Sequence, residues 1–547
     1  MAIKSDNQTE IRRSGNYKPP MWEFDFVQSL TNEYMGERFA TRASELKMQV
    51  KMMLDEPTEP LDQLTLIDNL QRLGISYHFE DEIEHILTFI NRKYNKNHEP
   101  RNKDLYATAL EFRLLRQHGF NVSQEIFDCF KNEEGYFKPN LYEDTKGLLQ
   151  LYEASFLSIE GERTLEQARE FTIKHLQDLI VDQDSAILVH HALELPLHRT
   201  IPRAEARWFL NVYSQNPDMN PILLEFAKLD FNLVQATYQQ ELKQVSRWWK
   251  RICLAEKLPF ARDRLVECFF CTIGGLFEPQ HGLCRTILTK VMCLLTVIDD
   301  IYDVYGTLEE LELFTCAFER WDVNAIEQLP DYMQICYLAV INFVNEIAYD
   351  VLKGKGILII PYLRKAWTDI CKAYLQEAKW YFNGYTPTLE EYMENARTTI
   401  SSHVIMSHAF FIVTNPIEKE AVEYLQKYPG VIRWLATILR LADDLATSSN
   451  EQERGDVSTS IQCYMNETGA SEDDARKHMR FLIQEMWKKL NKDQHVDSPF
   501  SQTFVGIAVN FARMAQYLYE HGDGIGIQNL EIKQRILGLL FEPIPLE

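Results

Sequence analysis

An apolar helix that ends in carboxylates constrains this chain more than any other feature. Leu294-Leu295-Thr296-Val297-Ile298 runs directly into Asp299-Asp300-Ile301-Tyr302-Asp303. A helix turns about 100° per residue, so Asp299 and Asp303 fall about 40° apart on one face, roughly 6 Å along the axis, while Asp300 points elsewhere. The flanking Val297, Ile298 and Ile301 place this helix inside the protein. Two buried carboxylates without a cation repel each other or take up protons, so the pair demands a partner charge. Magnesium fits that demand, because it takes hard oxygen ligands, keeps several waters and bridges one or two carboxylates to phosphates.

A second stretch repeats the pattern. In Arg440-Leu441-Ala442-Asp443-Asp444-Leu445-Ala446-Thr447-Ser448-Ser449-Asn450-Glu451, the oxygens of Asp443, Thr447 and Glu451 recur at i, i+4 and i+8. Ile432, Leu435, Ile438 and Leu439 supply the apolar stripe that buries this segment. Two oxygen-bearing faces on two buried helices define a metal-lined cleft with Asp299, Asp303, Asp443, Thr447 and Glu451 as its ligands.

These residues resemble the DDxxD and (N/D)DxxSxxxE motifs of plant class I terpene synthases. Arg12-Arg13 with Trp22 (RRx8W), Arg262-Asp263-Arg264 (RxR), Phe277-Glu278-Pro279-Gln280, Leu193-Glu194-Leu195-Pro196-Leu197-His198 and Arg454-Gly455-Asp456 carry the likeness through nearly the whole chain. They are similar to the angiosperm monoterpene branch. The resemblance implies an N-terminal α-barrel-like domain without catalytic function over residues 1–220 and a class I helical bundle over 221–547. It implies magnesium, with manganese as substitute, and a prenyl diphosphate substrate, geranyl diphosphate first. It also implies that the N-terminal arm folds over the active-site mouth, its tandem arginine serving isomerisation of the diphosphate. Two positions depart from the family pattern. Thr459 stands where many relatives place a diphosphate-contacting lysine, and Cys271 where they usually place a tryptophan on the pocket floor.

Composition narrows the alternatives. Gly 22 and Pro 20 are low counts for 547 residues, helical spacings recur and strand alternation does not, so the chain reads as all-α. A net charge of -23 argues against nucleic acid, whose binding rests on phosphate neutralisation. The same charge repels a diphosphate at long range, so metal and local arginines must prevail within the screening length of about 8 Å. Ten cysteines lack a disulfide-framework spacing and point to a reducing compartment. Cys268 and Cys271 lack the second pair or the histidine that zinc needs. No run approaches 18 apolar residues, so no membrane span is expected, and the N-terminus lacks a signal-peptide apolar core.

Along the chain, residues 1 to about 20 read as an irregular arm. Leu66, Ile67, Leu70 and Leu73, then Gly74, then Ile83, Ile86, Leu87 and Ile90 predict a helical hairpin with a glycine stop. There is no DxDD motif, so the acid of class II cyclases is missing. His190 and His191 point 100° apart and would not share a metal. Ser214 to Pro221, polar with two prolines, is the linker candidate. Arg262 and Arg264, two apart, suit a loop or helix end from which both guanidiniums fork onto phosphate, and Arg440 joins the same cluster. Trp321, Tyr302, Trp380, Tyr381, Phe410, Phe411, Tyr517 and Tyr519 supply aromatic density, and a desolvated ring face stabilises a cation by about 0.5–2 kcal/mol. Most of these rings belong to ordinary core.

The reading is a magnesium-dependent monoterpene synthase. Arg262, Arg264, Arg440, Asp299 and Tyr519 form the catalytic set; Arg262, Asp299, Asp303, Arg440, Asp443 and Cys271 bind substrate. With a thiol at 271, ring closure loses a cation-holding wall, which leans the product toward acyclic terpenes. Sesquiterpene or hemiterpene synthesis from farnesyl or dimethylallyl diphosphate is the alternative. A chain-elongating prenyltransferase would carry a second DDxxD, and a non-catalytic helical scaffold would leave the acidic clusters merely solvated. The expected protein is a monomer or weak homodimer. It acts in the plastid stroma if processed or truncated, and otherwise in the cytoplasm, because only eleven residues precede Arg12.

Overall fold

The computed structural model describes residues 12–56, 58–96, 104–178, 183–454, 458–494, 498–520, 522 and 530–546; within these spans the side chains of 93–96, 183–185 and 449–454 lie outside the description. Among the described residues the regular elements are all helices, with one isolated antiparallel bridge between Lys131 and Phe137. Loop chemistry sets the boundaries. Gly74 ends the Pro60–Arg72 helix at φ 73, where a Cβ would stand 2.7 Å from the Ala206 side chain, so only glycine allows the next helix to fold back. The hairpin follows, with Ile67, Leu70, Ile83, Leu87 and Ile90 buried in one core.

Two large apolar cores hold the molecule. The first gathers the N-terminal helices, and the second runs from Val245 to Ala512. The helix Pro221–Ile252, started by Asn220 accepting from the Ile222 and Leu223 amides, serves both: Leu223 to Leu242 pack in the first core and Val245 onward in the second. A 32-residue helix shared by two cores is a stiff connection rather than a flexible linker.

Two helices, Pro279–Tyr305 and Asp331–Lys355, each reach a mean hydropathy of 1.4 over an 18-residue window, although neither contains an unbroken apolar run of that length. About half of each window is buried inside the protein, as core helices require. The first carries the DDxxD motif, and Leu288, Val291, Leu294 and Ile298 on it are fully enclosed.

Candidate active site

The first-motif helix, Gly282–Asp300, does not continue as an ideal α-helix. It passes into a π-helical turn over Ile301–Tyr305, closed by Gly306 N–H donating to Ile301 C=O at 2.8 Å. Asp299, just before this wider turn, and Asp303, within it, line the same cavity. The second-motif helix, Gly430–Arg454, lines the opposite side with Arg440, Asp443 and Thr447. Thr447 Oγ1 donates to Asp443 C=O at 3.0 Å. Glu451 lies in this helix, but its side chain falls outside the described residues. Between the two walls is a cavity of about 540 Å³.

Each wall holds a carboxylate pair on one arginine. Arg262 binds Asp299 through Nη2, and Asp300 through Nε at 3.0 Å and its own amide at 2.6 Å. Arg440 binds Asp443, and Asp444 at 2.7 Å. Asp300 and Asp444 are both fully buried and face away from the cavity. Burial pushes the Asp300 carboxyl above its usual range, against the pull of Arg262. Asp444 has more donors, because Tyr392 Oη lies 3.0 Å from both its oxygens and Ser460 N–H donates at 3.0 Å.

Arg264 departs from its expected place. It is the N-cap residue of the Leu265–Gly275 helix, and its side chain turns to the Lys18 and Asp263 carbonyls, at 3.2 and 2.9 Å, rather than to the cavity. The reason is local: a residue two positions from Arg262 faces another direction at a helix start. Arg262 alone of the RxR pair lines the cavity.

The arm covers the mouth. Arg13, Ser14, Gly15, Asn16 and Tyr17 line the cavity, and Arg13 Nη1 donates to Asp303 C=O at 2.9 Å while lying 4.3 Å from the Tyr381 ring centroid. Trp22, at the arm's far end, packs on Phe26 and on Phe541 near the C-terminus. Of the aromatic residues singled out by sequence, Tyr302, Tyr381 and Tyr519 line the cavity; Trp321, Trp380, Phe410, Phe411 and Tyr517 do not. Cys271 lines it with Cys268 and Met292. The ring on this side is Phe511, which lies so close to Gly275 that a Cβ there would meet it at 2.6 Å. Thr459 also faces the cavity, with its hydroxyl tied to Ser448 and Gln462.

Sequence reasoning missed Glu377. It lines the cavity between the two walls, accepts from Thr399 Oγ1 at 2.9 Å and feels both Asp299 and Arg440. Burial, opposed by Arg440 and aided by Asp299, brings its carboxyl up to about 7. The signal in the sequence is its place in the Ile360–Asn383 helix, one turn before Tyr381, which puts both on one face. His191 is accounted for structurally: it bonds Glu205 at 2.7 Å and stacks on Trp208.

Among the described residues no three His, Cys, Asp or Glu groups converge as a ready cage. The donors are carboxylate and hydroxyl oxygens on facing walls, a set that suits a hard cation completing its shell with water and phosphate oxygens.

Comparison with known proteins agrees with this geometry. The profile of the terpene synthase N-terminal domain matches residues 21–194, and that of the terpene synthase family metal binding domain matches residues 250–489. The chain is 59% identical to (-)-alpha-terpineol synthase of Vitis vinifera, over 98% of this chain and 91% of the relative. It is 58% identical to a chloroplastic myrcene synthase of Quercus ilex, over 98% and 90%. A limonene synthase crystal structure with 2-fluorolinalyl diphosphate superposes with a TM-score of 0.96 at 52% identity, over 98% of this chain and 100% of that one. An isoprene synthase from grey poplar leaves, in complex with three Mg2+ ions and dimethylallyl-S-thiolodiphosphate, gives 0.89 at 48% identity, over 96% and 100%.

Proposed function

The chain belongs to the terpene synthase family, and we propose that it is a magnesium-dependent monoterpene synthase acting on geranyl diphosphate. The observation that carries this reading is the pair of arginine-braced carboxylate walls facing one cavity beneath the arm. Asp299, Asp303, Asp443, Thr447 and Glu451 are the proposed metal ligands, with Glu377 as an additional oxygen donor beside them. A bound divalent cation supplies positive charge to the diphosphate oxygens and makes the leaving group better.

The residues of the chain do the rest. The allylic C–O bond breaks heterolytically, its electron pair leaves with diphosphate, and Arg262 and Arg440 meet the charge that develops there. Arg13 to Tyr17 close the mouth and exclude water, which otherwise captures the allylic cation. Tyr302, Tyr381, Tyr519 and Phe511 line the cavity, and we assign Tyr519 to the catalytic set on that placement, since an aromatic ring stabilises a nearby cation. Cys271 gives the floor a small thiol, which favours acyclic products such as ocimene or linalool.

We place the domain boundary at 220/221, where Asn220 starts the long helix. The described residues that line the cavity come from one chain, which supports action as a monomer or weak homodimer. Relatives named chloroplastic support a plastid location.

Purified protein incubated with magnesium and, in turn, dimethylallyl, geranyl and farnesyl diphosphates, with volatiles identified by mass spectrometry, tests the whole reading. Monoterpenes from geranyl diphosphate, abolished by a chelator, are expected. Dominant turnover of farnesyl diphosphate would overturn the substrate assignment. Cys271→Trp tests the floor: a higher cyclic share places residue 271 at the reacting carbons, and an unaltered profile removes the acyclic lean.

A further inference from the structure

Four fully enclosed arginines of this protein each rest on a carboxylate: Arg113 on Asp68, Arg116 on Glu162, Arg203 on Asp230 and Arg285 on Glu241. Arg169 and Arg199, 9% and 8% exposed, bind no carboxylate among the described residues. Both guanidiniums stand over one ring. That of Arg169 lies 4.4 Å and that of Arg199 4.9 Å from the Phe156 centroid, and Arg199 is also 5.7 Å from the Trp487 ring. Arg169 donates from Nη2 to Ser155 C=O at 2.7 Å and to Ser158 Oγ at 3.3 Å. Arg199 has nothing comparable, and its Nε is buried without a hydrogen-bond partner.

The acids nearby are already committed. Glu166 and Glu485 reach Arg169 electrostatically, but both hydrogen-bond Lys488. Glu153 accepts from the Leu197 amide at 2.9 Å and is drawn to Arg113 and Arg72. Burial, together with the neighbouring Arg169 charge, brings the Arg199 guanidinium down to about 9, and burial lowers Arg169 as well. At neutral pH both still carry their charge, and ring faces return only part of what it costs to take a cation out of water. The pair lacks a counter-charge.

Its place in the fold is the junction between the N-terminal domain and the Glu472–Asp493 helix, which carries Trp487 and Asn491. Asn491 Nδ2 donates to Phe156 C=O at 3.0 Å and to Ser158 C=O at 2.9 Å, and Asn491 Oδ1 bonds the His198 ring at 2.7 Å. The stretch Leu193 to His198 thus docks on the second core and runs directly into Arg199. None of these residues lines the cavity.

We infer that Arg169 and Arg199, with the Ser158 hydroxyl, form a binding site for a small oxyanion of the phosphate class at this junction, separate from the cavity. Two forked guanidiniums match the oxygens of a tetrahedral dianion, and the sliver of surface that both keep is its way in. The site goes beyond the terpene synthase reading and does not rest on it.

The test titrates inorganic phosphate, and separately inorganic diphosphate, into the full chain with a chelator present and chloride holding the ionic strength constant. Calorimetry reads binding, and thermal unfolding reads its effect on stability. One anion per chain is expected here, and at about a hundred times its dissociation constant it should shift the wild-type folding equilibrium about a hundredfold. Arg199→Met removes the unpaired charge and leaves an apolar chain against two rings, so without phosphate the variant should unfold no earlier than wild type. Phosphate should no longer raise its midpoint. Arg440→Ala, on the cavity wall, should bind phosphate as wild type does. Whichever anion binds more tightly, with that binding lost in Arg199→Met, names the source as the free ion or a diphosphate product. Stabilisation that chloride matches, that survives Arg199→Met, or that vanishes in Arg440→Ala alone would overturn the site and leave water as the only partner of the pair. If Arg199→Met fails to fold, Arg199→Lys, which keeps the charge without the fork, should weaken phosphate binding by about tenfold or more, and unchanged affinity would overturn the site equally.

Discussion

The two motif walls perform one electrostatic task with different architecture. On both, a cavity carboxylate and its buried neighbour share an arginine: Asp299 and Asp300 on Arg262, Asp443 and Asp444 on Arg440. On the second wall the arginine comes from the same helix, three and four residues upstream, so helix formation alone brings the charges together. On the first wall it comes from a loop 38 residues away, so the pairing exists only once the domain is assembled. The buried carboxylates differ too. Asp444 keeps the Tyr392 hydroxyl and the Ser460 amide when its arginine side chain is removed, whereas Asp300 keeps the residue-262 amide and loses Nε. A motif built across the chain depends more on each partner than one built along a helix.

That asymmetry gives the largest expected effect. Arg262→Ala leaves a fully buried carboxylate facing a backbone amide without its guanidinium and should cost about 3–5 kcal/mol of stability as well as turnover, while Arg440→Ala should cost about 1–3 kcal/mol because a hydroxyl that reaches both oxygens and an amide remain. Denaturant unfolding of both variants checks this; equal losses would break the comparison. The same reasoning changes the expectation for Asp300→Asn. The sequence places Asp300 off the metal face, which predicts a mild effect on turnover, but its full burial on Arg262 predicts a larger stability loss than that of Asp299→Asn, whose carboxylate is partly exposed at the cavity.

The cavity carboxylates are next. Asp299→Asn, Asp303→Asn and Asp443→Asn should each lower turnover by about tenfold or more, 1.4 kcal/mol in barrier, with little change in unfolding midpoint. Unchanged turnover at saturating magnesium in the first two would sink the first-wall ligand assignment. Tyr392→Phe removes a hydroxyl from the second wall alone, and a loss of about 1 kcal/mol in unfolding free energy is expected.

A separate prediction is the pH dependence contributed by Glu377, between the walls. Its folded-state pKa, about 7, lies above the ordinary carboxyl value of 4.5, so the folded protein binds the proton more tightly than the unfolded chain. Its contribution to stability is therefore full below pH 4.5 and is lost as pH rises through 7. Melting curves over that window without divalent metal should slope downward less steeply in Glu377→Gln than in wild type. Parallel slopes would remove Glu377 as the titrating group.

The sequence by itself determined the all-helical fold, the glycine stop at Gly74, the shared faces of Asp299 with Asp303 and of Asp443 with Thr447, and the nearness of Arg440 to Asp443. Each follows from periodicity or turn chemistry within a few residues. The tertiary structure decided the rest. It replaced the α turn after Asp300 with a π turn, assigned Arg262 to two aspartates and turned Arg264 to the arm. It brought Glu377 between the walls, set Phe511 against Gly275, and seated Arg12 on Glu310, 298 residues away. A helix fixes where its own side chains point, but which neighbour stands opposite is settled by packing among helices distant in the chain, and no local spacing encodes that choice.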